Sequence, residues 1–210
     1  MINIFFKHLA LSLCILLILS CEQSKAKQHT YLDEHLKGTM KTDTATFGTG
    51  CFWCTEAIFQ ELKGVVSATS GYSGGHIENP TYEQVCTGTT GHAECIQVIY
   101  NPSEITYDEL LEVFWKVHDP TTLDQQGADI GPQYRSVIFY HSEEQKQKAE
   151  SYKATLNNDK AFDRPIVTAI EPFTNFYAAE NYHQNFYSNN PHYGYCRIVI
   201  KPKLDKFEKI

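Results

Sequence analysis

The chain is short of clustered positive charge: 18 Lys and Arg stand against 25 Asp and Glu, a formal net charge of −7, with no basic run. Phosphate backbones are held by grouped cations, so nucleic acid is excluded as the main partner. Cysteine is too sparse and too irregularly spaced, at positions 14, 21, 51, 54, 86, 95 and 196, for a disulfide-stapled small domain. There is no second Cys-x-x-Cys cluster and no His pair to complete a zinc site, so no metal is expected. With 12 Gly and 8 Pro in 210 residues, the composition is neither collagen-like nor disordered. Internal repeats and low-complexity tracts are absent, and one core suffices at this length. What the chain has in quantity is aromatic: 13 Tyr, 12 Phe and 2 Trp, mostly core, with some available to line an apolar pocket.

The one long apolar run lies at the start. Lys7 precedes Leu9 to Leu19, and the run is short against the roughly 20 residues of a membrane span. It reads as a secretory signal over residues 1–20. Ile18-Leu19-Ser20-Cys21 looks like a bacterial lipoprotein processing box, which makes Cys21 the lipidated first residue of the mature chain. The alternative is an uncleaved N-terminal anchor. Either way the catalytic part is exported, to a bacterial envelope location facing the periplasm or exterior. Residues 21–43 are polar and read as a tether, and residues 44–210 as the catalytic domain.

Within that domain strand and helix patterns alternate. Thr44–Thr49 reads as a strand, Phe52–Leu62 as a helix, Val65–Gly71 and Glu94–Tyr100 as strands, and Thr106–His118 as an amphipathic helix. Ser73–Gly91 is a long loop around a short helix, and Asp119–Arg135 a second irregular stretch. Ser136–Tyr140 is a strand, Glu143–Asn157 a charged helix, Ile166–Ile170 a strand, and Phe176–Ser188 a helix. The order strand–helix–strand–strand–helix–strand predicts an α+β fold with a ferredoxin-like, split βαβ core, extended by C-terminal helices.

Chemistry concentrates in Gly48-Thr49-Gly50-Cys51-Phe52-Trp53-Cys54. A strand ending in glycine before a helix puts Cys51 at the helix start, where unpaired amides and the macrodipole favour thiolate. Cys54, three residues on, is in reach for a disulfide; half a metal site is the competing reading. Phe52 and Trp53 can form a slot beside the sulfur. Glu94, at a strand mouth among apolar neighbours, can stay protonated near neutral pH and serve as a general acid. Asp129 lies in a glycine-bracketed loop. His92 and His183 read as packed, hydrogen-bonded structural residues, and Cys86 and Cys95 as buried, inert thiols.

Gly50-Cys51-Phe52-Trp53, Gly91-His92-Ala93-Glu94 and Gly131-Pro132-Gln133-Tyr134-Arg135-Ser136 together resemble the A-type peptide-methionine (S)-S-oxide reductases. Gly71-Tyr72-Ser73-Gly74-Gly75 and Ala179-Glu180-Asn181-Tyr182-His183-Gln184 resemble further motifs of that family in the same order, so the likeness spans Thr44 to Lys206. The resemblance implies that Cys51 attacks the sulfoxide sulfur and Glu94 protonates its oxygen. Tyr82 and Tyr134 would hydrogen-bond that oxygen, Phe52 and Trp53 would wall the substrate methyl, and Asp129 would lie in the substrate site. A sulfenic acid on Cys51 is then resolved by a second thiol, and an external thioredoxin-like dithiol reduces the disulfide. No prosthetic cofactor is implied. Many relatives carry Gly where this chain has Cys54 and resolve with a C-terminal cysteine. Gly194-Tyr195-Cys196 resembles that site, so Cys54, Cys196 or a relay through both stays open.

The expected partners are oxidised protein or peptide methionine, an exported thioredoxin-like reductant and the membrane through the lipid anchor, with the domain a monomer. Two other readings compete: a general dithiol oxidoreductase of thioredoxin type, and a non-enzymatic envelope lipoprotein with a structural disulfide. The first leaves the Glu94 and Asp129 loops unexplained. The second requires an unreactive Cys51.

Overall fold

Alternation of side chains along the strands decides the architecture. In strand β1 (Asp43–Thr49), Ala45 and Phe47 point into one buried cluster. Strand β3 (Ala93–Tyr100) sends Ile96, Val98 and Tyr100 to the same side and Ala93 and Cys95 to the other. That is the period-two pattern of a sheet covered on both faces. The computed structural model describes residues 41–207, so the signal segment, Cys21 and most of the tether lie outside it. Thr42–Ile210 forms one compact unit. Its first strand begins at Asp43, paired with Tyr100, one residue before the sequence expectation.

Between these strands run helix α1 (Phe52–Gln60), strand β2 (Val65–Ser73) and the short helix α2 (Tyr82–Cys86). After β3 come helix α3 (Tyr107–Val117), a two-residue hairpin of β4 (Gln125–Gln126) and β5 (Asp129–Ile130), and strand β6 (Ser136–Tyr140). In the main sheet β6, β1, β3 and β2 lie side by side, every neighbouring pair antiparallel. This is the split βαβ arrangement that the element order implied. Helix α4 (Glu143–Asn158) crosses over to β7 (Ala169–Pro172), which extends the sheet in parallel beside β6. The short β8 (Tyr177–Ala178) closes the opposite edge beside β2.

Phe47 anchors the helix-covered face, its ring 5.5 Å from Phe59 of α1 and 5.3 Å from Phe114 of α3. Deleting such a fully buried ring costs about 3–5 kcal/mol. Thr106 starts α3 with a capping box: its hydroxyl accepts the Glu109 amide and the Glu109 carboxylate accepts the Thr106 amide. The opposite face is a smaller cluster of Ala93, Cys95, Val137 and Phe139 under Phe173 and Phe176.

Two sequence expectations shift. Strand pairing near the C-terminus starts at Ala169 because Ile166 and Val167 give their amides to Asn157 Oδ1 and the Pro120 carbonyl instead of the sheet. The stretch expected as one helix over Phe176–Ser188 is broken into β8, a 3₁₀ turn at Asn181–His183 and helix α5 (Phe186–Asn189). Asn185, at φ 53°, reverses the chain between the last two. The chain ends in a π-helical turn (Cys196–Ile200) and helix α6 (Lys201–Phe207).

Candidate active site

Gly50 makes the turn from β1 into α1. Its φ is +93°, and a Cβ there would meet the Gln126 side chain at 2.5 Å. Only glycine accepts both the conformation and the contact. Cys51 follows as the first residue of the helix entry, 8% exposed, and Cys54 lies one turn on, 3% exposed. The two thiols are close enough to perturb each other's titration, and the Tyr195 hydroxyl is 3.9 Å from Cys54 Sγ.

The helix start does not activate Cys51 as expected. Burial raises the Cys51 thiol pKa well above its ordinary value, with the Cys54 contact and the Glu94 charge adding to the rise. The Phe52 N–H, the first of the helix, donates to Glu94 Oε2 at 3.1 Å, and the Cys54 N–H donates to the Cys51 carbonyl. Neither amide serves the sulfur. The Cys54 thiol pKa is lowered, first by the neighbouring Cys51 thiol and against the effect of burial.

Glu94 lies at the start of β3 and is 1% exposed. Burial pushes its carboxyl up to about 8; the Phe52 amide opposes that rise, and the Asp129 and Cys54 charges add to it. At neutral pH it is a carboxylic acid with a proton to give. Tyr82, at the start of α2, and Tyr134 are half-buried, and both hydroxyls feel the Glu94 charge, as does Cys51. The Arg135 guanidinium ties the two loops together by donating to the carbonyls of Pro132 and Gly91.

Phe52 and Trp53 form an aromatic wall. Trp53 stacks on Phe186, ring centres 3.7 Å apart and planes 8° off parallel, and its indole N–H donates to His183 Nδ1 at 3.1 Å. That bond leaves the neutral ring's proton on His183 Nε2. His183 also lies 4.5 Å from the Tyr82 ring and 5.1 Å from Phe52. Asp129, on β5, accepts the Tyr195 hydroxyl at 2.6 Å. Cys51, Phe52, Trp53, Cys54, Tyr82, Glu94, Asp129 and Tyr134 are therefore drawn into one neighbourhood. Cys196 is fully buried and feels the Cys54 charge. Of the two site thiols, Cys54 is the one whose charge Cys196 feels.

Two tyrosines that frame the site, Tyr195 and Tyr72, were not singled out for it from sequence. Tyr195 touches both Cys54 and Asp129, and its place beside Cys196 was the available signal. Tyr72 donates to Glu180 Oε2, while the Tyr82 amide donates to Glu180 Oε1. His92 is held at both ring nitrogens, by the Gly75 amide and the Ile77 carbonyl. Cys95 is buried, but Cys86 is exposed, because α2 turns only Val85 inward. Among the described residues no group of three or more His, Cys, Asp or Glu side chains is arranged to hold a metal.

Paired thiols at a helix start, a neutral carboxylic acid beside them and an aromatic wall define a thiol-based oxidoreductase. The family model described as peptide methionine sulfoxide reductase matches residues 43–210. The chain is 54% identical over 167 residues to the peptide methionine sulfoxide reductase MsrA of Sulfolobus acidocaldarius, covering 80% of this chain and 94% of that one. The reduced form of Mxr1 from Saccharomyces cerevisiae is similar in structure, with a TM-score of 0.70 at 37% identity over 75% of this chain and 91% of that chain. Mxr1 in complex with Trx2 gives a TM-score of 0.50 at 30% identity, over 70% and 86% of the two chains. The chain belongs to the peptide methionine sulfoxide reductase family.

Proposed function

We propose that this enzyme reduces the S epimer of methionine sulfoxide in oxidised proteins and peptides, with Cys51 as nucleophile and Glu94 as acid. The observation that carries the reading is the fully buried Glu94, bonded to the Phe52 amide at the Cys51 helix start, where burial pushes its carboxyl up to about 8. A sulfoxide oxygen leaves poorly until protonated. Glu94 gives it a proton, with the Tyr82 and Tyr134 hydroxyls as hydrogen-bond donors, and the sulfur becomes electrophilic. Cys51 attacks that sulfur as its own proton departs and restores Glu94. The hydroxyl then passes from the substrate sulfur to the Cys51 sulfur as the S–O bond and the transient S–S bond break, so methionine leaves and Cys51 holds the oxygen as sulfenic acid. A second thiol condenses with it, losing water and forming a disulfide.

Cys54 is the favoured resolving thiol, one helical turn from Cys51 and with its thiol pKa lowered by that neighbour. Cys196 would accept the disulfide from Cys54. A thioredoxin-type dithiol then reduces it by exchange, in keeping with the Mxr1–Trx2 complex. Phe52 and Trp53 enclose the substrate methyl, and Asp129, held by Tyr195, borders the substrate backbone. No cofactor beyond that external reductant takes part.

Residues 1–20 act in this reading as a lipoprotein signal and Cys21 as the lipidated residue, tethering a monomeric domain to the bacterial envelope. Support comes from the Leu9–Leu19 run and the Ile18-Leu19-Ser20-Cys21 box. Labelled palmitate incorporated into the chain, and lost in Cys21→Ser, tests the anchor. For the reaction, separated S and R sulfoxide epimers of one peptide are incubated with dithiothreitol. Turnover of S alone is expected; equal turnover of both, or none, rejects the assignment.

A further inference from the structure

Helix α1 carries a second buried carboxyl, Glu56, two residues beyond Cys54 and so on the other side of the helix from the sulfur chemistry. It is 2% exposed and its Oε2 accepts the Asn185 backbone N–H at 2.9 Å. One turn further, Gln60 Nε2 donates to the Asn185 side-chain carbonyl at 2.9 Å. Two residues on the same face of α1 thus grip a single residue 125 or more positions away in sequence. Asn185 is itself in the left-handed region, so its backbone direction fixes the path of the residues on either side. Those residues are the ones that hold Trp53: His183 accepts the indole N–H, and Phe186 stacks on the indole face.

We propose that Glu56 is a positioning residue for the methionine pocket, clamping the 183–186 segment so that His183 and Phe186 hold Trp53 in place. The proposal rests on the assignment of Phe52 and Trp53 to the substrate methyl. Packing alone does not fix this segment. Glu56 borders a cavity of about 550 Å³ that also reaches Gln60, Ala68, Gln184 and Asn185. Hydrogen bonds span that space instead. Gln184 Oε1 accepts the Ser70 amide and its Nε2 donates to the Ser70 carbonyl. Ser70 and the Phe186 amide also lie near enough to favour the Glu56 carboxylate. Burial acts first and raises that carboxyl to about 7, so a charged or half-charged group is kept here only because amides surround it.

The test reads Trp53 directly. Trp115 is the other tryptophan and lies buried in α3, so a Trp115→Phe background leaves Trp53 as the sole indole emitter. In that background Glu56→Ala should shift Trp53 emission to the red and increase its quenching by acrylamide. It should also raise KM for the sulfoxide peptide about tenfold while kcat changes less than about threefold. Glu56→Gln keeps an acceptor for the Asn185 amide and should restore both readouts to near the parent. If Glu56→Ala does not fold, Gln60→Ala removes the second grip from a half-buried position and should move KM and emission in the same direction, by less. A Glu56→Ala protein that melts earlier but keeps its KM and Trp53 emission overturns the proposal, as does Gln60→Ala with neither readout moved. Failure of the parent to reduce any sulfoxide would instead reject the assigned reaction, and the emission of Trp53 would still report on the clamp.

Discussion

The Phe52 amide donates to Glu94 Oε2 at 3.1 Å, so the residue that follows the nucleophile is bonded to the acid. The start of α1 and the mouth of β3 are thereby locked across 42 positions of sequence. The amide that might have stabilised a Cys51 thiolate holds the proton donor instead. In the proposed reaction, chemistry starts from a neutral thiol and a neutral acid, and charge develops as the oxygen is protonated.

Activity should therefore track the protonated form of Glu94. Burial holds its carboxyl near 8, so single-turnover reduction should be full below that pH and fall as pH rises through about 8. Glu94→Gln should slow the step by about 10²–10⁴-fold and abolish that fall. Stopped-flow measurement of methionine release across pH 6–10 checks both.

The same carboxyl makes stability depend on pH. Its pKa is higher folded than the ordinary 4.5, so the unfolded chain releases the proton first. The contribution is full below about 4.5, declines as pH rises from there to about 8, and is then constant, a loss of up to about 5 kcal/mol. Glu94→Gln should flatten that part of the urea-unfolding profile. An unchanged slope in the variant would show that Glu94 is solvated in the native protein.

Gly50 is a position where one methyl group should be expensive. Its positive φ strains any other residue, and an added Cβ would run into Gln126, whose amide holds Asp119 at both the backbone N–H and the carbonyl. Gly50→Ala should destabilise by about 1–3 kcal/mol and displace Cys51. Thermal melting and the rate of Cys51 alkylation measure the two effects.

The order of the thiols makes a separable forecast. With Cys54→Ser, one methionine should be released per protein, and turnover with dithiothreitol should slow. Mass mapping should then find either Cys51 sulfenic acid or a Cys51–Cys196 disulfide. A Cys51–Cys196 disulfide formed at the parent's rate would transfer the resolving role to Cys196.

Most of this framework was legible in the chain. Period-two and helical patterns located β1, α1, β3, α3 and β6, because local burial imposes them. Cys51, Phe52, Trp53 and Glu94 stood out since each is adjacent to a glycine-marked boundary. Less visible was anything decided by a distant partner. The raised thiol pKa of Cys51 comes first from burial, which depends on the whole tertiary packing. The expected helix at 176–188 gave way because Gln184 and Asn185 are engaged by Ser70, Glu56 and Gln60. The exposure of Cys86 followed from the rotation of α2, a five-residue helix too short to show a periodic face.

The central claim is that oxygen passes from the sulfoxide to the sulfur of Cys51. Its most direct test is a protein with Cys54 and Cys196 both replaced by Ser, mixed with an S-sulfoxide peptide and a sulfenic-acid trap such as dimedone. The account predicts one methionine formed per protein and one trap adduct, located at Cys51 by peptide mass mapping. Methionine formed without an adduct at Cys51, or an adduct on Cys86 or Cys95 instead, would contradict it.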